Sequence, residues 1–208
     1  MVIPPSEFIG LAEATGDIVP MGNWALKQAC IDAKNWPDGI KVSVNLSAVQ
    51  IDNCDLYEVV VEALAAAGLE PQRLQLEITE SVLMHDSVRT QATLRKLNSL
   101  GVTVALDDFG TYFATLNCLQ RFPFKKVKID RSFVHDLTEH HDRLVIVRSM
   151  ADLASELNIK SVAEGVETAA ELAAVSSAGY VRCYGLSVPM TFRSAFDRCL
   201  LSRVAALL

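Results

Sequence analysis

The chain has 208 residues, half of them apolar, and a formal net charge of -6; that suits one well-buried core and argues against a duplex nucleic-acid binder, which needs a basic face to neutralise phosphates. Its five cysteines are odd in number, far apart and without a CxxC, which points to reduced thiols in a cytoplasmic protein and away from a disulfide frame or zinc site. The most apolar stretches, such as VVVEALAAAG, are short and broken by charge, so no signal peptide or membrane span is expected.

Taken in chain order, Ser6 to Thr15 reads as a helix stopped by Gly16, and Met21 to Trp36 as a second helix. KVSVNLS (41–47) is the first candidate strand. A helix from Leu56 to Ala67, stopped by Gly68, leads to the strand RLQLEITE (73–80). A helix from Ser87 to Leu100, stopped by Gly101, leads to TVALDDF (103–109). Glycine just past a helical pattern suits a left-handed C-terminal stop. KVKID (126–130), a helix over 141–157, SVAEGVE (161–167), a helix over 168–177, the weaker strand YVRCYG (180–185) and a helix over 191–207 complete the series. No linker or composition shift divides residues 1–208, so a single domain is expected.

Strands alternating with helices at this spacing imply parallel pairing through crossovers, hence an α/β fold, either doubly wound or a (β/α) barrel. No GxGxxG follows a strand, which weakens the dinucleotide-binding option. The phase of the polar residues favours the barrel. Val42, Val44 and Leu46 alternate with Ser43, Asn45 and Ser47; Leu74, Leu76 and Ile78 alternate with Gln75, Glu77 and Thr79. Val102, Val104 and Leu106 alternate with Thr103, Ala105 and Asp107, and Val127 and Ile129 with Lys128 and Asp130. An apolar phase facing outer helices and a small or polar phase facing a lumen explains all four.

On that assignment Asn45, Glu77, Asp107, Lys128 and Glu164 project inward near the C-terminal ends of successive strands, the end that carries the active site in parallel barrels. Asn45, Glu77 and Asp107 are oxygen donors suited to a hard divalent cation such as Mg²⁺, Mn²⁺ or Ca²⁺. Asp108, adjacent to Asp107 but on the opposite phase, is a candidate for a second ion. Two cations could share Asp107, activate a water and clamp a phosphodiester. Lys128 could orient that water or offset phosphate charge, and Glu164 is a candidate general base. Each residue has an ordinary alternative: a turn or N-cap for Asp107–Asp108, a surface lysine on an edge strand for Lys128, a loop cap for Asn45, and a salt bridge or plain solvation for Glu77 and Glu80. One site replaces five separate explanations. A lyase or isomerase using Lys128 as base beside a metal-held enolate is a more distant alternative. His85, His135, His140 and His141 read as solvated, and Trp24 and Trp36 as core residues.

NLS, LQLEITES, VALDDFGT, KIDRSFV and VAEGVET, in this order, together with PPSEFIGLAEATGDIVPMGNWALKQAC, resemble the EAL domain, the bacterial cyclic-di-GMP phosphodiesterase module. The resemblance runs to about Pro189 and implies a TIM-like barrel that opens cyclic di-GMP to linear pGpG with Mg²⁺ or Mn²⁺. It implies Asn45, Glu77 and Asp107 as metal ligands, Asp108 as the second-metal carboxylate, Lys128 as the water-contacting lysine and Glu164 as the general base. Glu80 and Thr111 correspond to residues that steady the loop after DDFG.

Departures from the family pattern temper this. The Glu-Ala-Leu signature, whose glutamate is a metal ligand, belongs upstream of VIPPSEF, so a barrel of about six strands lacking that ligand is expected, where such barrels run to about 250 residues. The usual Gly-Tyr-Ser-Ser-Leu after DDFGT is Tyr112 to Leu116 here, reading YFATL, and the Gln-Gly pair of the last strand is Tyr184–Gly185. A cyclic-di-GMP signalling domain impaired in catalysis is therefore expected, with a non-catalytic ligand-binding or protein-interaction module as the alternative. Sensor or cyclase domains in the parent protein and a homodimer, with Val42, Val44 and Leu46 near an exposed seam, complete the expectations.

Overall fold

Short apolar alternations and longer helical patterns become strands and helices in a computed structural model, which describes residues 3–83, 88–111, 119–179 and 182–184. The chain divides into two compact units with a boundary between Val104 and Ala105.

The first unit holds α1 (Pro5–Thr15), α2 (Ile18–Lys34), β1 (Val42–Asn45), α3 (Ala48–Asn53), α4 (Leu56–Ala67), a 3-10 turn at Pro71–Arg73, β2 (Leu74–Thr79), α5 (Glu80–Leu83) and α6 (Val88–Leu100). β1 and β2 pair in parallel, with Val42 opposite Leu74 and Asn45 opposite Glu77. α2 packs against α3, α4 and β1, and its buried positions Gly22, Ala25, Leu26, Ala29, Cys30 and Ala33 form one helical stripe. The small residues of that stripe let the helix approach closely. Arg73 donates to the carbonyls of Ala33 (2.7 Å), Trp36 (3.2 Å) and Ile40 (3.0 Å), closing the C-terminal end of α2.

β3 (Thr103–Phe109) begins in the first unit and continues into the second, which adds β4 (Lys126–Ile129), α7 (Arg131–Val134), α8 (His141–Glu156), β5 (Lys160–Glu164), α9 (Ala169–Ser177) and β6 (Arg182–Tyr184). β4 pairs in parallel with β3 and β5, and β5 with β6. Leu106, Phe109, Val127, Ile129, Val147, Val162 and Val175 are fully buried there. Parallel strands in sequence order, alternating with helices, are the repeat of a TIM-like α/β barrel. All six expected strands are present among the described residues, and no described helix is long and apolar enough to cross a membrane.

Several boundaries and placements differ from expectation. α2 starts at Ile18, ahead of Pro20, because the first four N–H groups of a helix have no intrahelical acceptor and proline loses nothing there. β5 stops at Glu164 rather than continuing to residue 167. The short helices α3, α5 and α7 were not anticipated; α3 is set by a capping box from Ser47 to Gln50. Trp24 is 60% exposed, not a core residue. Trp24 falls outside the buried stripe of α2, and Trp36 lies past the end of that helix and is half-buried. Val42, Val44 and Leu46 are buried, so these side chains do not line an exposed seam. The helix expected over 191–207 lies outside the described residues, as do His85 and the 112–118 loop.

Candidate active site

In the first unit, the period of two places Ser43 and Asn45 on one face of β1 and Gln75 and Glu77 on the same face of β2. The register sets Ser43 against Gln75 and Asn45 against Glu77. Gln75 Nε2 donates to Ser43 Oγ at 2.9 Å and to Glu77 Oε1 at 2.5 Å, and all three residues are buried. A neutral amide thus aims the Glu77 carboxylate without neutralising it. The backbone N–H of Leu46 donates to Glu77 O at 2.9 Å, holding the chain just past Asn45 to β2. Asn45 itself is exposed. Glu80 is fully buried at the start of α5.

In the second unit, β3 carries the two adjacent carboxylates on a β-bulge. Leu106 lies opposite Val127 and Phe109 opposite Ile129, so three steps along β3 match two along β4. The extra residue is accommodated at Asp107–Asp108, with Asp108 at φ 52°, a left-handed conformation that aspartate tolerates better than most residues. Simple alternation would turn Asp108 to the far face from Asp107, as the sequence pattern suggested; the bulge replaces that alternation. Asp108 N donates to Asp107 Oδ1 at 3.0 Å. Thr111 donates to Asp108 O from its backbone N–H (3.3 Å) and its hydroxyl (2.9 Å), closing a turn directly after the bulge. Gly110, at φ 103°, sits where a Cβ would lie 2.6 Å from Met150 Cε and 3.0 Å from Phe133, so the turn needs glycine.

Lys128 is the centre of this half. Its Nζ lies 2.8 Å from Asp107 Oδ2 and 2.8 Å from Glu164 Oε1, with side-chain exposures of 7%, 14% and 27% for Lys128, Asp107 and Glu164. β4 lies between β3 and β5, which removes the edge-strand alternative for this lysine. The ammonium is a positive charge that offsets Asp107 from within the protein. It also joins the ends of three strands, so two carboxylates and one cation hold each other in place.

The loop after Glu164 is tied down by a residue not singled out from sequence. Glu171 Oε2 accepts from the backbone N–H groups of Glu167 and Thr168, both at 2.9 Å, and Oε1 from Asp136 N at 3.3 Å. Burial would raise its pKa, but these backbone bonds and the Thr168 hydroxyl outweigh that and hold it below the ordinary value. The Thr-x-x-Glu spacing at 168–171 is a capping box and was legible as one. Burial pushes the Cys30 thiol up to about 11, which makes it an inert core residue rather than a nucleophile.

Of the expected site residues, the first unit contains Asn45, Glu77 and Glu80, and the second Asp107, Asp108, Thr111, Lys128 and Glu164. Asn45 and Glu77 are strand neighbours in the first; Asp107, Lys128 and Glu164 are joined in the second. Among the described residues no group of three His, Cys, Asp or Glu side chains is arranged as a metal cluster. Gln75 was missed as a supporting residue because its bond to Ser43 is set by sheet register, and Glu171 because its bond to Asp136 is tertiary.

The EAL domain family model matches residues 1–188. The chain is 48% identical over 167 residues to an uncharacterized signaling protein of Caulobacter vibrioides, covering 80% of this chain and 21% of that protein. It is 42% identical over 174 residues to the bifunctional diguanylate cyclase/cyclic di-GMP phosphodiesterase MucR of Pseudomonas aeruginosa, covering 82% of this chain and 25% of that protein. The chain therefore spans about a quarter or less of these relatives. Among solved structures, the PaMucR phosphodiesterase in a c-di-GMP complex superposes with TM-score 0.80 at 41% identity, covering 86% of this chain and 74% of that one. The Klebsiella pneumoniae BlrP1 manganese/cy-diGMP complex gives TM-score 0.77 at 28% identity, covering 85% and 45%.

Proposed function

The chain belongs to the EAL domain family, and from that premise we propose that it binds cyclic di-GMP and hydrolyses one of its phosphodiesters to linear pGpG with a divalent metal, at a rate limited by Tyr184. The observation that carries this is Lys128 with its ammonium on both Asp107 and Glu164. It is the arrangement expected of a lysine that orients a metal-bearing carboxylate and a general base at once.

The donor chemistry of the chain suits the metal. Asn45, Glu77 and Asp107 supply amide and carboxylate oxygens, the donors that Mg²⁺ and Mn²⁺ prefer, and Asp108 supplies a carboxylate for a second ion. The bonds from Lys128 and Asp108 N to Asp107 do not exclude a metal, since a carboxylate offers about four lone-pair sites. When bound, such an ion lowers the pKa of its water and offsets phosphate charge. The chain's own part is geometric and protolytic. Gln75 aims Glu77, and the bulge presents Asp107 and Asp108. Lys128 fixes Asp107 relative to Glu164. Glu164 takes the proton as the water oxygen bonds to phosphorus, and the bond from phosphorus to the ribose 3′ oxygen breaks, that oxygen leaving with a proton from solvent. Thr111 closes the turn directly after Asp108.

A non-catalytic binding or interaction module is the second reading. It is favoured by the register of β6, which puts Tyr184 opposite Glu164 where the resembling family carries glutamine. A homodimer and flanking sensor or cyclase domains belong to the proposal as well; the bifunctional name of one relative is consistent with a cyclase partner domain.

Incubation with cyclic di-GMP and Mn²⁺, followed by nucleotide separation, tests the proposal. Slow pGpG formation, abolished by EDTA and by Glu164→Gln and accelerated by Tyr184→Gln, is expected. Saturable binding of cyclic di-GMP with no pGpG, in the wild type and in Tyr184→Gln alike, would establish the second reading instead.

A further inference from the structure

We propose that Glu13 on α1 is a positioning residue for Asn45, acting through Ser47; this rests on the metal-site reading of Asn45 above. Ser47 stands two residues beyond Asn45, and its groups are committed. Its hydroxyl donates to Glu13 Oε1 at 2.6 Å, and its Oγ accepts from Val49 N at 3.1 Å. Its backbone N–H donates to Gln50 Oε1 at 3.2 Å. Its carbonyl accepts from Gln50 N (3.1 Å) and Ile51 N (3.3 Å). Gln50 is in turn held: it is 1% exposed and lies where a Cβ on Gly22 would overlap its amide.

An N-cap serine needs only its acceptor oxygen to cap a helix; its hydroxyl hydrogen can go to water. Here that hydrogen goes to a carboxylate, a stronger charge-assisted bond, from a helix 34 residues away in sequence. Glu13 is also placed against its own helix's preference. It lies in the last turn of α1, whose C-cap is Gly16, and negative charge there opposes the macrodipole. A half-buried glutamate at that end is therefore not explained by helix stability.

Asn45 needs such a tether. It is exposed and borders, with Glu13, Ser47, Gln50 and Thr79, a cavity of about 320 Å³, so side-chain packing does not fix it from that side. Its place is set by the backbone after it: Leu46 N on Glu77 O, then Ser47 on Glu13. α1 thereby sets where the Asn45 amide oxygen is presented.

The test compares the full chain with Glu13→Ala and Glu13→Gln. It reads the Asn45 side-chain amide resonances by NMR without metal, Mn²⁺ affinity by titration of the free-ion EPR signal, and the melting temperature. Glu13→Ala should shift the Asn45 resonances, leave those of Asn35 in place, and weaken Mn²⁺ binding about tenfold with no loss of melting temperature. Glu13→Gln, which keeps an acceptor oxygen, should restore most of both. Unchanged Asn45 resonances in Glu13→Ala, or changes that track a fall in melting temperature across all asparagines, would overturn the proposal. A wild type that binds no Mn²⁺ would overturn the metal reading, and the Asn45 resonances would then decide the role of Glu13 alone.

Discussion

Replacing Lys128 by methionine removes one ammonium while keeping most of the stem's apolar packing. At 2.8 Å and an effective dielectric of about 20, each contact carries roughly 6 kcal/mol of gross Coulomb attraction. Most of that is offset by desolvation of the ions, so the measurable quantity is the cost of leaving two carboxylates without their cation. Breaking a buried pair costs about 3–5 kcal/mol. Asp107 and Glu164 retain 14% and 27% exposure and can recover some water, which lowers the expectation to about 2–4 kcal/mol. Urea unfolding in EDTA reads this as a midpoint lowered by on the order of 1 M at unchanged slope. In a double-mutant cycle, Asp107→Asn combined with Lys128→Met should lose less than the sum of the two single changes, because the second removes a partner already lost. Lys128→Met within about 0.5 kcal/mol of wild type, or a cycle with no coupling, would refute the idea that this lysine is the internal counter-charge.

Gly22→Ala forces its methyl into the Gln50 side-chain amide and should cost about 1–3 kcal/mol by overpacking; wild-type stability by urea unfolding would mean that Gln50 moves freely and the capping box is dispensable. Glu171 has a folded pKa below its ordinary 4.5. Its contribution is thus fully present above 4.5 and is lost as pH falls through the lower folded value. Glu171→Gln should therefore be less stable than wild type at pH 7, with the gap closing as pH falls below 4.5; a gap that is constant across pH would contradict the assignment.

The strands were legible because a two-residue period is exact over short segments. Ser43, Asn45, Gln75 and Glu77 fall where alternation puts them. Asp108 did not, because a bulge depends on how β3 pairs with β4 and leaves no period behind. Lys128 was legible as a strand-end lysine, yet the two carboxylates it holds are 21 and 36 positions away in number and become partners only through the order of β3, β4 and β5. The capping boxes at 47–50 and 168–171 are local and were readable as spacing. That Ser47 would also hold Glu13, or that Glu171 would reach Asp136, is tertiary and was not. Trp24 misled because its size suggests burial, whereas helical phase decides it.

Manganese binding in solution tests the metal assignment most directly. Titration of the wild-type chain should show saturable Mn²⁺ binding, and Asp107→Asn and Glu77→Gln should each weaken it by about tenfold or more. Absent binding in the wild type, or affinity indifferent to both substitutions, would show that these strand-end oxygens are not metal ligands.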